Sequence, residues 1–574
     1  MQPQQKQLML QEIISHLNNN RLKEARTLCI SLLKEQPDAH EVWQILATIA
    51  TRQENHREAA KHLDQAIQIN PNIPQYFNHL GKTFRAIGAP ERAAASYRKA
   101  LQLDPAYGMA YLNLGQLALD LRAFRDAATT LEEAVRLKPN NPRARLLLAT
   151  ALQHLGEADK VATLCDALVA SSQDAATLSQ VANLLVSANR QEKALEALQK
   201  ARIESPDDPW LTIMEARIAN VQSDRPKAIA LLEGIPAAHM DLPQQRLTHG
   251  ELGRLYDREG ESRKAYDHFQ QQGHIGKRIA QQLGIVENKA MIRAQIMRRE
   301  ANAEWRDSWL PHPDPKIEKP PIFLVGFPRS GTTLLGQILN AHPELEVVDE
   351  RIGMETISTQ FDKQDGSYLK ALARATPAEV HQLREIYEGF MWQEQAGEIS
   401  SGRRLVDKNP PNILYMPTIM RLYPNARFIL ALRHPCDAIL SSYMQTFDLG
   451  VSLAQLYTLE ENAQYYRTLM GLWRHFAHLF SVSFQTIRYE ALIEDLEGEM
   501  RKLLEGLDMG WSPELLNYRE KIAQSAGAVR TPSAQAVHQP LYGHAAQRWK
   551  RYADQMEPLL PGLERDLKAF GYEV

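Results

Sequence analysis

In the first half of the chain, small and apolar positions return at a fixed interval. Ala25, Ala59, Ala93 and Ala127 stand 34 residues apart, and so do Ala47, Gly81, Gly115 and Ala149. Leu63, Tyr97 and Leu131 repeat as larger packing residues about a turn after the first set, and Pro37, Pro71, Pro105 and Pro139 keep the same spacing. Small residues let two antiparallel helices approach closely, and a proline ends the second of them. The pattern weakens but continues. Ala182, Ala194, Leu198, Ala201 and Pro206 fit one more unit, Ala216 and Ala228 the next, and Leu252, Gly253, Tyr256, Ala265 and Phe269 a last. The expectation is about eight helical pairs between residues 6 and 280.

This period and residue pattern is that of tetratricopeptide (TPR) repeats, which stack into a superhelix with a concave groove for peptides or proteins. After a further helical stretch, Pro311-His312-Pro313-Asp314-Pro315-Lys316-Ile317-Glu318-Lys319-Pro320-Pro321 holds five prolines in eleven residues and reads as a stiff, extended linker. Beyond it, strand-like runs (Ile322–Gly326, Arg404–Val406, Arg427–Leu432, Phe484–Arg488) alternate with helical patterns at 334–341, 366–397, 411–422, 455–479 and 493–507, with a helical tail over Tyr552–Gly571. Such alternation predicts an α/β domain with a largely parallel sheet. The expected division is 1–280 for the repeats, 281–318 for the linker region and 319–574 for the α/β domain.

Composition narrows the classes of function. Across 574 residues the formal net charge is −3, so nothing global favours nucleic acid. Cys29, Cys165 and Cys436 are far apart, with neither metal-ligand spacing nor a disulfide framework. The N-terminus lacks a basic-then-apolar leader, and no run approaches the roughly 18 apolar residues of a membrane span. The expectation is a soluble, cytoplasmic protein without a metal, of unspecified oligomeric state.

Candidate chemistry centres on Gly326-Phe327-Pro328-Arg329-Ser330-Gly331-Thr332-Thr333, between an apolar strand and a helix. Two glycines bracketing four residues are the spacing of a phosphate-cradling loop, in which backbone N–H groups and a helix N-terminus face the anion. Thr332 stands where a nucleotide triphosphatase has its lysine, so Arg329 is the cation of the loop and a kinase is disfavoured. Three further segments fall at strand ends or loops: Val347–Glu350, Asp407-Lys408-Asn409-Pro410, and Arg433 through Ser442. Arg433 at a strand tip and Ser441 within the next helix suit a second phosphate.

Together these segments resemble sulfotransferases that use 3′-phosphoadenosine 5′-phosphosulfate (PAPS), and most nearly the protein-tyrosine sulfotransferases. Pro328–Thr333 looks like their 5′-phosphosulfate loop, and Arg433 with Ser441 like their 3′-phosphate motif. Glu350, 21 residues after Arg329, matches the catalytic Glu, and Lys408 the catalytic Lys. Tyr489-Glu490 matches a Tyr-Glu pair, while Ser533, Val537 and Arg548 before Trp549 match a late donor-binding segment. The acidic-loop Glu-Thr-Arg of the family is here Glu350-Arg351-Ile352, which separates this chain from the family at the acceptor side. The resemblance implies an all-α TPR superhelix followed by an α/β P-loop-like sulfotransferase domain with a mainly parallel sheet. It also implies PAPS as co-substrate and Glu350 as base toward an acceptor hydroxyl. Arg329 and Lys408 would stabilise the transferring group, and Arg329, Ser330, Gly331, Thr332, Thr333, Arg433 and Ser441 would hold the donor. Tyr489 is either a donor contact or a packing residue. His342 is a second candidate base, or else the residue that fixes the turn after the first helix. The acceptor is a protein or peptide tyrosine held near the TPR groove, or instead a carbohydrate, lipid or small alcohol. A nucleotide-sensing scaffold is the non-enzymatic alternative.

Overall fold

The structure is a computed structural model that describes residues 3–121, 123–172, 174–285, 289–314, 316–362, 367–392, 402–445, 456–524 and 546–573. The chain divides into two units, Met1–Pro206 and Asp207–Val574.

The first unit is a run of six helical pairs, from Pro3–Asn18 with Leu22–Glu35 to Ala175–Ser187 with Gln191–Glu204. The 34-residue register has a direct physical basis. A side chain at Gly81 would meet the Tyr97 ring at 2.5 Å, and one at Gly115 would meet Leu131 at 2.5 Å. Each small residue on a first helix therefore receives the large residue on its partner, and Ala25, Ala59, Ala93 and Ala127 are fully buried beside them. Pro71, Pro105 and Pro139 each lie two residues past a helix end, at Ile69, Leu103 and Leu137, where a missing N–H does no harm.

The second unit begins with two more pairs, Pro209–Val221 with Arg225–Glu233 and Leu242–Arg258 with Ser262–Gln282. The same small-on-large contact recurs, since a side chain at Gly253 would meet Phe269 at 2.6 Å. Helices Lys289–Glu300 and Ala303–Asp307 follow. The described residues of the proline-rich run are irregular, with bends at Pro313, Lys316, Glu318 and Lys319, and they are tied down. Asn425 exchanges two hydrogen bonds with the Ile317 backbone, at 3.2 and 2.7 Å. Asp314 pairs with Arg384 at 2.5 Å, and Arg421 donates to the Leu310 carbonyl at 2.7 Å.

Five parallel strands form the sheet: β1 (Ile322–Gly326), β2 (Leu345–Asp349), β3 (Arg404–Lys408), β4 (Arg427–Leu432) and β5 (Ser483–Arg488), in the order β2-β3-β1-β4-β5. β1 is buried along its whole length, as a central parallel strand should be. The chain leaves β1 toward β2 on one side and later reaches β4 on the other, so the direction of winding reverses at the carboxyl end of β1. Open α/β sheets bind ligands at such a point. The sequence reading missed β2, which is short and carries Glu346. The pattern at 366–397 is two helices, Tyr368–Arg374 and Pro377–Trp392, because Pro377 cannot continue the first and Thr376 starts the second with bonds to Glu379 at 2.8 Å.

The last repeat helix reaches this sheet domain closely. Gln272 donates to the Gln445 carbonyl at 3.2 Å, and Tyr266 and Phe269 lie against Tyr443 with ring centroids 5.9 and 6.3 Å apart. A side chain at Gly273 would sit 2.0 Å from the Tyr457 carbonyl oxygen. Gly273→Ala should therefore destabilise the chain by about 1–3 kcal/mol, the usual effect of overpacking against backbone. Urea unfolding followed by tryptophan fluorescence measures this, and an unchanged midpoint would contradict the close approach.

Candidate active site

The loop after β1 takes a shape that few sequences allow. Arg329 and Gly331 both have left-handed backbone, with φ of 71° and 87°. Alternation of this kind turns successive N–H groups to one side and forms an anion-binding concavity. A side chain at Gly331 would also strike the Tyr489 ring at 2.7 Å, so the position needs glycine twice over. Thr332 and Thr333 open helix Thr332–Asn340, and both are buried, as is Ser330.

The carboxyl end of β4 supplies the second group of residues. Arg433 follows the strand, and Ser441 lies in helix Pro435–Tyr443. Arg329 Nε donates to Ser441 Oγ at 3.2 Å, and Arg433 Nη1 donates to the Arg329 carbonyl at 3.2 Å. The two phosphate motifs are thus one connected cluster. Burial, then repulsion from Arg433 and Arg548, lower the Arg329 guanidinium to about 10, while Glu350 and Tyr489 act in the opposite sense. Like charges gathered out of water suit an anion. Tyr489, after β5, lies against Gly331 and under the Arg433 guanidinium, 5.2 Å from its ring centre. Glu490 accepts from the His434 backbone N–H and the Tyr572 hydroxyl, each at 2.9 Å, tying the chain end to β4.

On the other side of β1, the strand ends place Lys408 with two carboxylates. Lys408 is the last residue of β3, one step earlier than a loop position, and is 1% exposed. Its ammonium pairs with Asp349 and with Glu350 Oε1, the latter at 2.9 Å, and lies 3.5 Å from Thr333 Oγ1. Burial alone lowers the Lys408 pKa, but the two carboxylates outweigh it and the net shift is upward, so the residue stays charged. Glu350 has φ of 46°, an uncommon conformation for this residue, and its N–H donates to the Lys408 carbonyl at 2.8 Å. Strain of this kind at a strand end is a marker of function.

The other expected residues fall as follows. His342 is buried, accepts from Glu344 N–H through Nδ1 at 3.2 Å and donates through Nε2 to the Gly510 carbonyl at 2.9 Å, so it fixes the turn. Arg548 forms a two-point ion pair with Asp257, at 3.2 and 2.5 Å. Ser533 and Val537 lie outside the described residues. Sequence reasoning missed three organising carboxylates: Asp349, whose only signal was adjacency to Glu350; Asp437, quoted within its motif without a role; and Asp257. Asp437 accepts from the backbone N–H groups of Gln547 and Trp549, at 2.7 and 2.8 Å.

Comparison with known proteins agrees with this architecture. Residues 320–513 match the family model of the Sulfotransferase family, and four overlapping segments between residues 10 and 176 match that of the Tetratricopeptide repeat. The chain therefore joins a region that matches tetratricopeptide repeats to a region that matches the Sulfotransferase family. A putative protein-tyrosine sulfotransferase of Caenorhabditis briggsae is 29% identical over 204 residues, covering 35% of this chain and 70% of that protein. The protein-tyrosine sulfotransferase of Drosophila melanogaster is 26% identical over 252 residues, covering 40% and 47%. An uncharacterized protein of Aquifex aeolicus is 27% identical over 263 residues, covering 44% of this chain and 33% of its own length. Two of these three alignments thus span less than half of the relative. Among the described residues, no helix is long and apolar enough to cross a membrane.

Beside Lys408, the carboxyl of Asp407 is fully buried and accepts from Tyr387 OH at 2.7 Å. Burial pushes it up to about 7, against the opposing pull of that hydrogen bond. An unfolded Asp releases its proton near pH 3.9. Between these values the folded chain holds the extra proton, so Asp407's contribution to stability is lost as the pH rises through about 7. Asp407→Asn cannot ionise and keeps an acceptor for Tyr387. Its stability relative to the parent should rise by on the order of a few kcal/mol between pH 4 and pH 8. Denaturant titration at several pH values checks this, and a difference independent of pH would contradict it.

Proposed function

We propose that this chain transfers a sulfuryl group from PAPS to an acceptor hydroxyl, with tyrosine of a protein or peptide as the acceptor. The observation that carries the donor reading is the joined cluster of Arg329, Ser441 and Arg433 at the carboxyl ends of β1 and β4. A nucleotide with a 5′-phosphosulfate and a separate 3′-phosphate places two anions within one such cluster. The loop N–H groups of 330–333 with Thr332 and Thr333 hold the 5′ end, and Arg433 with Ser441 holds the 3′-phosphate. Tyr489 lines the donor between them. Arg548 adds positive charge from the C-terminal segment, and Ser533 and Val537 belong to the same donor-binding role.

The chemistry requires no metal. The bond between sulfur and the phosphate oxygen breaks, the leaving bisphosphate keeps the electron pair, and a new bond forms from sulfur to the acceptor oxygen. Glu350 takes the acceptor proton, with Oε1 steadied by Lys408. Lys408 and Arg329 stabilise the charge that develops on the transferring and leaving oxygens, and positioning supplies much of the remainder. Tyrosine is favoured because two of the three relatives named above carry that activity in their names. The TPR array would hold the protein acceptor, raising its local concentration. The three cysteines are free and buried, in keeping with a reducing cytoplasm.

Adenosine 3′,5′-bisphosphate should raise the melting temperature much more than AMP, and Arg433→Ala should erase that preference, since a charge-assisted contact contributes about 1.5–3 kcal/mol. Equal binding of the two nucleotides by the parent chain would overturn the donor assignment.

Glu350→Gln keeps a hydrogen-bond acceptor for Lys408 but removes the base. It should bind the bisphosphate normally and lose roughly 10²–10⁴-fold in turnover. Transfer of labelled sulfate onto a panel of tyrosine peptides, glycans and small alcohols measures both the loss and the acceptor class. Full activity of Glu350→Gln together with an inactive His342→Ala would move the base to His342.

A further inference from the structure

The function proposed above uses one face of the Arg433–Ser441 segment. The opposite side of that segment leads, through a chain of polar contacts, to the last repeat pair. Asp437, in the first turn of helix Pro435–Tyr443, holds the N–H groups of Gln547 and Trp549. The Trp549 indole stacks on His434, next to Arg433, with ring centres 5.2 Å apart and planes 13° from parallel. Arg548, between these residues in sequence, reaches the last repeat pair. Its Nε and Nη2 grip the two carboxylate oxygens of Asp257, at 3.2 and 2.5 Å.

Asp257 is at the C-terminal end of helix Leu242–Arg258, in the last repeat pair, and 291 residues from Arg548. It is buried, and it is a hub. Tyr552 OH donates to Oδ1 at 2.7 Å and Arg551 Nη2 donates to Oδ1 at 3.2 Å. Arg551 Nη1 donates to the Asp257 carbonyl at 3.1 Å. A carboxylate at the C-terminal end of a helix opposes the helix dipole and is unfavourable unless cations meet it. Here two guanidiniums do. The two-point grip fixes the plane of the Arg548 guanidinium and leaves Nη1 outside the pair. Arg548 lies between Gln547 and Trp549, whose N–H groups Asp437 holds within the Arg433–Ser441 segment, and this places it beside the donor cluster.

We propose that Asp257 is a positioning residue for the donor site: it orients Arg548 toward the donor's phosphates, so that the last TPR helical pair is a working part of the nucleotide site. The assignment rests on the PAPS reading of the preceding section. It makes the repeat pair 242–282 serve the enzyme's own cofactor-like substrate, whereas the repeats before it remain available to a partner.

The test uses the full chain and adenosine 3′,5′-bisphosphate as the probe, by calorimetry. Asp257→Asn should weaken binding about tenfold, the lower range for a charge-assisted contact. Turnover at saturating donor should stay close to the parent value, so that the donor Michaelis constant carries the change. Asp257→Glu should recover most of the affinity. In an Arg548→Ala background, Asp257→Asn should add no further loss, because the two residues act as a unit. Tyr552→Phe removes a neutral partner of the same carboxylate and should lower the melting temperature while leaving affinity unchanged. Should Asp257→Asn fail to fold, Arg548→Lys carries the test: it keeps the charge, gives up the fork, and should lose affinity to a similar extent.

Losses that multiply in the double variant, or parent-like affinity in folded Asp257→Asn or in Arg548→Lys, would overturn the proposal while leaving the donor reading intact. A parent chain with no preference for the bisphosphate over AMP would overturn both.

Discussion

Lys408 is an ammonium ion from which water is almost entirely excluded, and a lone charge in that position would be severely destabilising. Its pairing with Asp349 and Glu350 makes the position tolerable, and much of the site geometry follows from that requirement. Two carboxylates must reach one ammonium from the end of β2. Asp349 does so as the last residue of the strand. Glu350 does so because the backbone turns into a left-handed conformation directly afterwards. On the far side of β1 the grouping is different: Arg329 and Arg433 are bonded to one another and to Ser441, and Asp437 holds backbone N–H groups of the C-terminal segment. One half of the site is therefore built around an ion-paired lysine, and the other around two adjoining guanidiniums.

Much of this was readable in the chain before its fold was known. The 34-residue register reflects a contact, small residue against large residue, that recurs in both units, and so periodicity revealed it. The glycine loop and the Arg433–Ser441 motif are local in sequence and bring their own geometry. What stayed hidden was non-local. β2 is five residues long and partly exposed, with a glutamate in its second position, and no alternation marks it. Nothing near Glu350 announces its positive φ. Asp257 is the clearest case. Within its helix it looks like an ordinary acidic residue of a repeat, and only the approach of a segment nearly 300 residues later makes it a partner of two arginines.

The proline-rich run teaches a related lesson. Its composition excludes regular helix, and the described residues are irregular, with several bends. Irregular backbone, however, does not imply freedom, since Asn425, Arg384 and Arg421 each hold part of the run or the residues just before it. A stiff segment loses little conformational entropy when it is fastened to a surface, which makes it well suited to act as a strap.

The position of the seam between the two units bears on how such a chain can change over time. Solenoid arrays lengthen and shorten readily, because each repeat contacts only its neighbours. Here that freedom stops before the final pairs, which belong to the same unit as the sheet. Repeats upstream of Pro206 lie in the other unit, where gain, loss or exchange would follow the rule of neighbours. A duplication inserted after Gly273 has met Tyr457 would have no such licence. For anyone wishing to graft a new repeat array onto the sheet-bearing unit, the junction that its compactness suggests is Pro206–Asp207.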